Sequence, residues 1–270
     1  MTLNAVVIFL ISFFALWLGS QLGAWIGRRE KRESEGLEDF RIILGATLSL
    51  LGLLIGFSLS MSIGGFNNRQ AGEEMEAASI NAAFMRAELL PETQRNTVQN
   101  LLIEYLDKRL DFYNQDDPNA RREIVHETSE LQFEIWTTVS TTAHAQQTPV
   151  IALAVTGIND VINSQKKTQA SWRNQIPFAA WLLLAAVALF CSMMTGYNSR
   201  DQRRSSGIFF ILPMTISLSF MMIADIDVPG QGIIRVNSSN LEQLEATVKS
   251  RKATQNAVPH PIRLAHLPFG

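Results

Sequence analysis

The sequence has little charge and almost no cysteine, and both shortages restrict what the protein can be. Charged residues make up 18% of its 270 residues, against roughly 25% in an ordinary soluble domain. The net charge of −2 lacks the basic excess with which nucleic-acid-binding proteins neutralise phosphates, so nucleic acid is excluded as a partner. The single cysteine, Cys191, excludes an intramolecular disulfide and a cysteine-rich metal site.

The sequence also lacks the common catalytic and cofactor-binding motifs. It contains no H-E-x-x-H zinc motif, no G-x-S-x-G nucleophile motif and no phosphate-binding P-loop. His126 and Glu130, like Glu123 and Glu127, are four residues apart and could hold a metal ion on one helix face, but such pairs are common by chance. We therefore predict no enzymatic activity, no cofactor and no metal site.

What the sequence does contain is four long runs without a charged residue. A helix needs about 20 apolar residues to cross the roughly 30 Å hydrocarbon core of a bilayer, and each run is long enough. The first run has no basic residue before it and is too long for a cleaved signal peptide, so it is predicted to remain as a span. We predict an all-α membrane protein with four transmembrane helices at residues 3–26, 42–66, 176–199 and 205–224.

Two short connections between these spans are rich in basic residues, which indicates the orientation of the protein. Short loops rich in Lys and Arg stay in the cytoplasm, and both connections lie on the same side of a four-span protein. We predict a multi-pass protein of the bacterial inner membrane, with both termini and residues 67–175 outside the cytoplasm. The basic residues are Arg28, Arg29, Lys31, Arg32 and Arg41 in one connection, and Arg200, Arg203 and Arg204 in the other.

The chain divides into two transmembrane hairpins, residues 1–66 and 176–227, with a helical extramembrane domain at residues 67–175 inserted between them. Proline marks the helix starts inside the domain, at Pro91, after Asp117 and at Pro149, because proline is tolerated in the first turn of a helix. The last segment, residues 228–270, is predicted to hold one amphipathic helix at residues 241–252 and a partly disordered tail.

Small residues recur at intervals of three or four along the second span and form a ridge on one side of the helix. One interpretation is tight packing against a neighbouring span, because small residues let helix backbones approach closely in lipid. The other is a polar path through an oligomer, since backbone and hydroxyl dipoles can line an ion route. This small-residue ridge consists of Gly45, Ser49, Gly52, Gly56, Ser60 and Gly64.

Charged residues at the ends of the spans are candidates for an electrostatic vestibule at a pore mouth. Ionisable groups near the membrane are costly and often functional, but charges at a span boundary can also be simply solvated. A solvated, internally paired charged face is therefore the competing interpretation. The candidates are Glu73, Glu74 and Arg86 after the second span, and Asp225 and Asp227 at the end of the fourth.

Several stretches together resemble the bestrophin-like domain family of bacterial membrane proteins. They comprise residues 52–61, followed by Glu73-Glu74 and Asn81-Ala82; Arg86 with Leu89-Leu90-Pro91, Tyr105 and Arg109; Gly196-Tyr197; and residues 225–229 with 232–236. The resemblance implies an oligomeric ion channel with four spans per subunit and the second span near the pore. It also implies a cytoplasmic large domain, which is opposite to the orientation that the loop charges favour.

Two functions therefore stay open at this stage. The first is a homo-oligomeric channel or transport protein in the lipid bilayer that conducts monovalent ions. The alternative is a membrane-anchored sensor or scaffold whose helical domain binds a ligand or a partner.

Overall fold

The structure is a computed structural model that describes residues 5–29, 35–198, 208–230 and 232–257. Within these ranges the chain is helical and contains no strand. The helices are α1 (Ala5–Arg29), α2 (Glu35–Arg86), α3 (Glu92–Asn114), α4 (Pro118–Ala145), α5 (Pro149–Arg173), α6 (Phe178–Asn198), α7 (Ile208–Asp227) and α8 (Ser239–Ala257), with a 3-10 turn at Ala87–Leu89.

Four helical segments of the described residues are long and apolar enough to cross a membrane, in agreement with the predicted number of spans. They are Ala5–Arg29, Glu38–Leu89, Pro149–Asn198 and Phe210–Asp227. The predicted second span, residues 42–66, is only the middle of α2, which has 52 residues and continues well past Phe66.

The helix starts within the predicted domain follow the punctuation of the sequence. The Asp117 carboxylate caps α4 by accepting a hydrogen bond from the Asn119 backbone N–H at 3.0 Å, with Pro118 in the first turn. Pro91 is the N-cap residue of α3, and α5 begins at Pro149. Asp and Pro are favoured at a helix start because the first backbone N–H groups of a helix have no hydrogen-bond partner inside it: Asp accepts from one of them, and Pro has no N–H to satisfy.

The chain forms two compact units. The membrane unit contains the described residues of Met1–Ala71 and Gln169–Val236. In it, α1 packs against both α6 and α7. Its apolar core comprises Leu16, Leu51, Leu184, Ala188, Cys191, Ile216 and Phe220.

Glycines bring α1 and α6 into backbone contact. A Cβ atom built on Gly23 would lie 1.9 Å from the Met193 carbonyl oxygen, and one built on Gly196 would lie 1.9 Å from the Ser20 carbonyl oxygen. No side chain fits into either space. Each helix therefore contributes a glycine at the crossing point, which is typical of helices that pack closely in lipid.

The helical unit contains Gly72–Thr168 together with the described residues of Asn237–Gly270. Its buried residues come from α2, α3, α4, α5 and α8, and α8 packs against α3. The predicted helix at residues 241–252 is present as the longer α8. The C-terminal segment thus groups with the inserted helices, whereas the sequence-based division treats residues 228–270 as a separate extension. The predicted disordered tail after residue 257 lies outside the described residues.

Candidate functional site

All six residues of the small-residue ridge lie on an exposed face of α2. A Cβ atom built on Gly45, Gly52, Gly56 or Gly64 would meet no described atom within 4 Å. The ridge therefore does not pack against another described helix of the same chain, which corrects that form of the packing interpretation. Whatever covers the ridge comes from outside the described part of the chain.

The opposite face of α2 anchors it in the membrane unit. Leu51, Ser58, Ser62 and Arg69 are all buried, and their spacing of seven, four and seven residues places them on one side of the helix. Leu51 belongs to the apolar core, and the Ser62 hydroxyl donates to the Ile223 carbonyl oxygen at 3.4 Å. The ridge is thus left facing away from the subunit core.

Asp225 and Asp227 are buried and hold backbone groups. Asp225 accepts hydrogen bonds from the backbone N–H groups of Ile233 and Ile234, the shortest at 3.0 Å. Asp227 accepts from the Ile176 N–H at 3.0 Å. The interpretation of these residues as solvated helix-end carboxylates is therefore wrong, because both side chains organise the chain where α7 ends.

The turn after α7 depends on glycine. Gly230 has a φ of 78°, a conformation that other residues rarely adopt. A Cβ atom on Gly232 would lie 2.5 Å from Oδ1 of Asp225. The chain can return to Asp225 only because residue 232 has no side chain.

Arg69 is a buried cation of the same unit. It is 1% exposed, and Nη2 donates to the Ile226 carbonyl oxygen at 2.6 Å. Its Nε and Nη1 atoms have no hydrogen-bond partner among the described residues. An arginine side chain on a helix points back towards the N-terminus, so that of Arg69 lies over Gly65 one turn earlier.

The predicted vestibule charges on α2 have different environments in the helical unit. Glu73 is 0% exposed and caps α8, accepting from the Leu241 N–H at 3.0 Å and from Nδ2 of Asn240 at 2.7 Å. Glu74 is exposed. Arg86 is half-buried and forms an ion pair with Asp160 at 3.2 Å. Glu73 is thus a structural carboxylate, and Glu74 is the solvated one.

A buried ion pair lies one turn further along α2. Glu76 accepts two hydrogen bonds from Arg109, at 3.0 Å from Nε and 3.1 Å from Nη2, and both side chains are almost fully buried. The guanidinium also lies 4.2 Å from the centroid of the Phe112 ring. Burial alone would lower the pKa of Arg109, but the Glu76 carboxylate, together with Tyr105 and Tyr113, raises that pKa above its ordinary value. Burial raises the pKa of Tyr105 and Tyr113 around the pair, so both phenols stay neutral.

The residues considered for a metal site do not converge. Nδ1 of His126 lies 3.9 Å from Oε1 of Glu130, and both side chains are largely exposed. Among the described residues, no three His, Cys, Asp or Glu side chains are grouped as metal ligands.

The sequence model of the Bestrophin-like domain matches residues 6–241. The chain belongs to the Bestrophin-like family. The match covers most of the chain, including all four apolar helices and the helices between them. No curated protein sequence matches the chain.

Solved structures show the same fold. A bacterial bestrophin homologue from Klebsiella pneumoniae matches with a TM-score of 0.63 at 14% identity, over 92% of this chain and 98% of that one. A variant of a bestrophin homologue from Klebsiella pneumoniae matches with a TM-score of 0.61 at 11% identity, over 89% and 98% of the two chains. A third structure, described only as a membrane protein variant, has a TM-score of 0.61 at 14% identity, over 96% and 100%. At these identities the similarity shows a bestrophin-like fold and leaves function to be argued from the residues.

The predicted site residues of this Bestrophin-like chain fall into separate groups. The ridge, Asp225 and Asp227 belong to the membrane unit, whereas Glu73, Glu74 and Arg86 belong to the helical unit. Only Asp225 and Asp227 are close in sequence and share a buried environment. The predicted charges therefore do not form one cluster within either unit.

Sequence reasoning missed two features. One is the glycine crossing of α1 with α6, although Gly19, Gly23 and Gly27 recur every four residues and are a small-residue signal as regular as the ridge. The other is the burial of the charges on α2. A signal for it existed, because Glu73 and Glu76 share the helical register of buried Ile80 and Ala87.

Proposed function

We propose that this chain is one subunit of a homo-oligomeric ion channel, in which the small-residue ridge of α2 faces the pore or the neighbouring subunit next to it. The observation that carries the proposal is the uncovered ridge. It is an exposed strip of glycine and serine along a membrane span, with nothing from the described chain within 4 Å of its glycines. Strips of small residues are typical of surfaces where membrane helices approach one another closely, so the uncovered strip points to contact with another subunit or to a pore.

The chemistry of the ridge suits the passage of small ions. It presents hydroxyl and backbone dipoles but no fixed charge. The Ser49 hydroxyl donates to the Gly45 carbonyl oxygen at 3.0 Å, so its own oxygen lone pairs stay free to accept. Weak dipoles of this kind let ions enter and leave, which conduction of monovalent ions requires.

The family membership supports this proposal, and so does the likeness in fold to bacterial bestrophin homologues. The proposed location is the bacterial inner membrane, with the termini and residues 67–175 outside the cytoplasm as the loop charges indicate. Glu74, which is exposed, is the proposed solvated charge near the ion path.

Purified protein tests both parts of the proposal. Its mass in detergent, corrected for bound detergent, should be a whole multiple of 30.1 kDa greater than one. Reconstituted into a planar bilayer with a monovalent salt, it should conduct. Oligomers that are well folded and never conduct would contradict the channel and favour the sensor or scaffold alternative.

Gly56→Leu tests the ridge itself. A four-carbon side chain at a position of close approach should abolish assembly or conduction, because overpacking in a tight contact typically costs about 1–3 kcal/mol. The control is Leu54→Ile, which lies on the opposite side of the helix, off the ridge, and nearly conserves volume, so it should be tolerated. If Gly56→Leu assembles and conducts normally, the ridge faces lipid and the proposal for α2 fails.

A further inference from the structure

The membrane unit contains an open cavity of about 650 Å³ between α2 and the end of α5. The described residues that line it are Gly65, Asn68, Ala170, Ser171, Arg173 and Asn174. None of them is acidic, and Arg173 supplies a positive charge. The cavity is much larger than a monatomic ion.

Polar groups around the cavity are available to a ligand. The side chains of Asn68, Arg173 and Asn174 are exposed and form no hydrogen bond or ion pair with described residues. They provide one guanidinium fork and two amides. A guanidinium and amide donors together match the oxygens of a tetrahedral oxyanion, which arginine binds through two parallel hydrogen bonds.

Behind the cavity wall lies the buried cation Arg69. A Cβ atom on Gly65 would be 3.4 Å from Nη1 of Arg69, so the guanidinium lies directly under the part of the wall that Gly65 forms. Nη2 donates to the Ile226 carbonyl oxygen at 2.6 Å and the buried Asp227 carboxylate attracts the same guanidinium, whereas Nε and Nη1 have no hydrogen-bond partner among the described residues. A buried donor that lacks a hydrogen-bond partner is costly, so these two N–H-bearing atoms are the ones that a ligand in the cavity would favour.

The cavity lies at the depth of lipid headgroups. Gly65 is one residue before the end of the second predicted span, residues 42–66, and Arg173 is three residues before the third, residues 176–199, begins. At 1.5 Å per residue, both lie within about 5 Å of the hydrocarbon boundary. The headgroup layer occupies roughly the next 5–8 Å on each side of a bilayer.

We propose that this cavity binds a phosphate group, held by Arg173, Asn68 and Asn174, with the unpartnered Nη1 of Arg69 behind the wall at Gly65. The phosphate belongs either to a lipid headgroup or to free phosphate in solution. Basic sites between membrane helices recognise anionic headgroups in the same way. The site is separate from the small-residue ridge and does not depend on conduction.

The test measures stabilisation of the purified full-length protein in detergent. Phosphatidylglycerol is titrated in one arm, and a galactosyl diacylglycerol with the same acyl chains but no phosphate in another. A third arm titrates inorganic phosphate against chloride at equal ionic strength. Phosphatidylglycerol should raise the melting temperature and the galactolipid should not. A response to inorganic phosphate alone would assign the site to free phosphate.

Arg173→Gln locates the effect. It should weaken phosphatidylglycerol binding about tenfold, the loss expected for one charge-assisted hydrogen bond. The matched control is Arg122→Gln, an exposed arginine of α4, which should bind lipid as the unchanged protein does. Equal stabilisation by both lipids, or an Arg173→Gln variant that binds phosphatidylglycerol and phosphate as tightly as the control, overturns the proposal. Because binding alone is measured, this failure is distinct from an absence of conductance.

Discussion

Two acidic residues of α2, Glu73 and Glu76, have structural contacts inside the helical unit. Glu73 and Glu76 are sealed from solvent, and each has a specific partner: the start of α8 for Glu73 and Arg109 for Glu76. Exposed ion pairs contribute little to stability, whereas breaking a buried pair leaves an uncompensated charge in a medium of low polarity. The consequences of mutation should therefore differ sharply between neighbouring charges.

Arg109→Met should destabilise the helical unit strongly. It leaves the Glu76 carboxylate buried without its partner, and such losses cost about 3–5 kcal/mol. Thermal unfolding followed by circular dichroism in detergent measures the effect. The control is Arg86→Met, which removes a half-exposed pair with Asp160 and should cost about 0–1 kcal/mol.

The double variant Glu76→Gln with Arg109→Met should be more stable than Arg109→Met alone, because it no longer buries an unpaired charge. If Arg109→Met melts like the Arg86→Met control, the pair is not buried in the folded protein.

Asp225→Asn and Asp227→Asn should each lower thermal stability and leave the ion preference unchanged. Each carboxylate accepts charge-assisted hydrogen bonds from backbone N–H groups, worth about 1.5–3 kcal/mol. An amide offers only one accepting oxygen and no charge. Melting temperature and reversal potential, measured on the same preparations, separate the two effects.

Glu74→Gln is the counterpart, because Glu74 is exposed. The variant should keep the melting temperature of the unchanged protein and shift the ion preference. This shift should become smaller as the salt concentration rises, because exposed charges are screened over about 10 Å at 0.1 M salt. A changed reversal potential in the aspartate variants at normal stability would assign them to the ion path instead.

Whole helices show where close packing in the membrane unit occurs. One glycine-dependent contact of the membrane unit is the crossing of α1 and α6, whereas a Cβ atom on any glycine of the α2 ridge would meet no described atom within 4 Å. Glycine therefore has two roles in the same unit. The glycines of α1 and α6 allow the two helices to touch inside the subunit, whereas the glycines of the α2 ridge lie on an exposed surface.

Gly23→Ala should destabilise the subunit, because the added methyl group would lie 1.9 Å from the Met193 carbonyl oxygen and the two helices would have to separate. The expected loss is at least the 1–3 kcal/mol typical of overpacking. The control is Gly52→Ala, where nothing described lies within 4 Å and alanine favours the helix. Melting temperature and the fraction of aggregated protein after purification report the difference. Equal behaviour of the two variants would show that α1 and α6 do not cross at this point.

The spans and the helix starts could be predicted from sequence because they depend on local chemistry. A charge-free run of sufficient length is enough to indicate a span, and Asp117 before Pro118 is enough to indicate a helix start. The contacts of a helix face could not be predicted in the same way. The spacing shows that Gly23 and Gly56 each lie on a regular small-residue face, but it does not show which helix, if any, packs against that face. The cap that Glu73 provides for Leu241 could not be predicted either, because it joins residues 168 positions apart.

At the scale of the whole molecule, the orientation in the membrane is still a prediction. With Cys191 replaced by serine, a cysteine at exposed Asn114 in the helical unit should react with a membrane-impermeant thiol reagent added to intact cells. A cysteine at exposed Asp39, near the basic connection, should react only after the cells are permeabilised. Because the Cys191 thiol is buried, replacing it with serine should change the background labelling only slightly.

The reverse labelling pattern would place the helical unit in the cytoplasm, as the resemblance to bestrophins implies. Labelling of both positions from outside would indicate damaged cells, so an intracellular marker protein with a reactive thiol serves as the integrity control.

The contact between Glu73 and the start of α8 also affects the order of events during synthesis. A ribosome adding about 5–20 residues per second needs on the order of ten to thirty seconds to pass from Glu73 to Asn240, 167 positions later. During this interval α6 and α7 are synthesised, while Glu73 is still without its partner on α8. The last described helix therefore completes the helical unit, and a nascent chain that stops before Asn237 contains the four described apolar helices but leaves Glu73 without the backbone N–H that it caps.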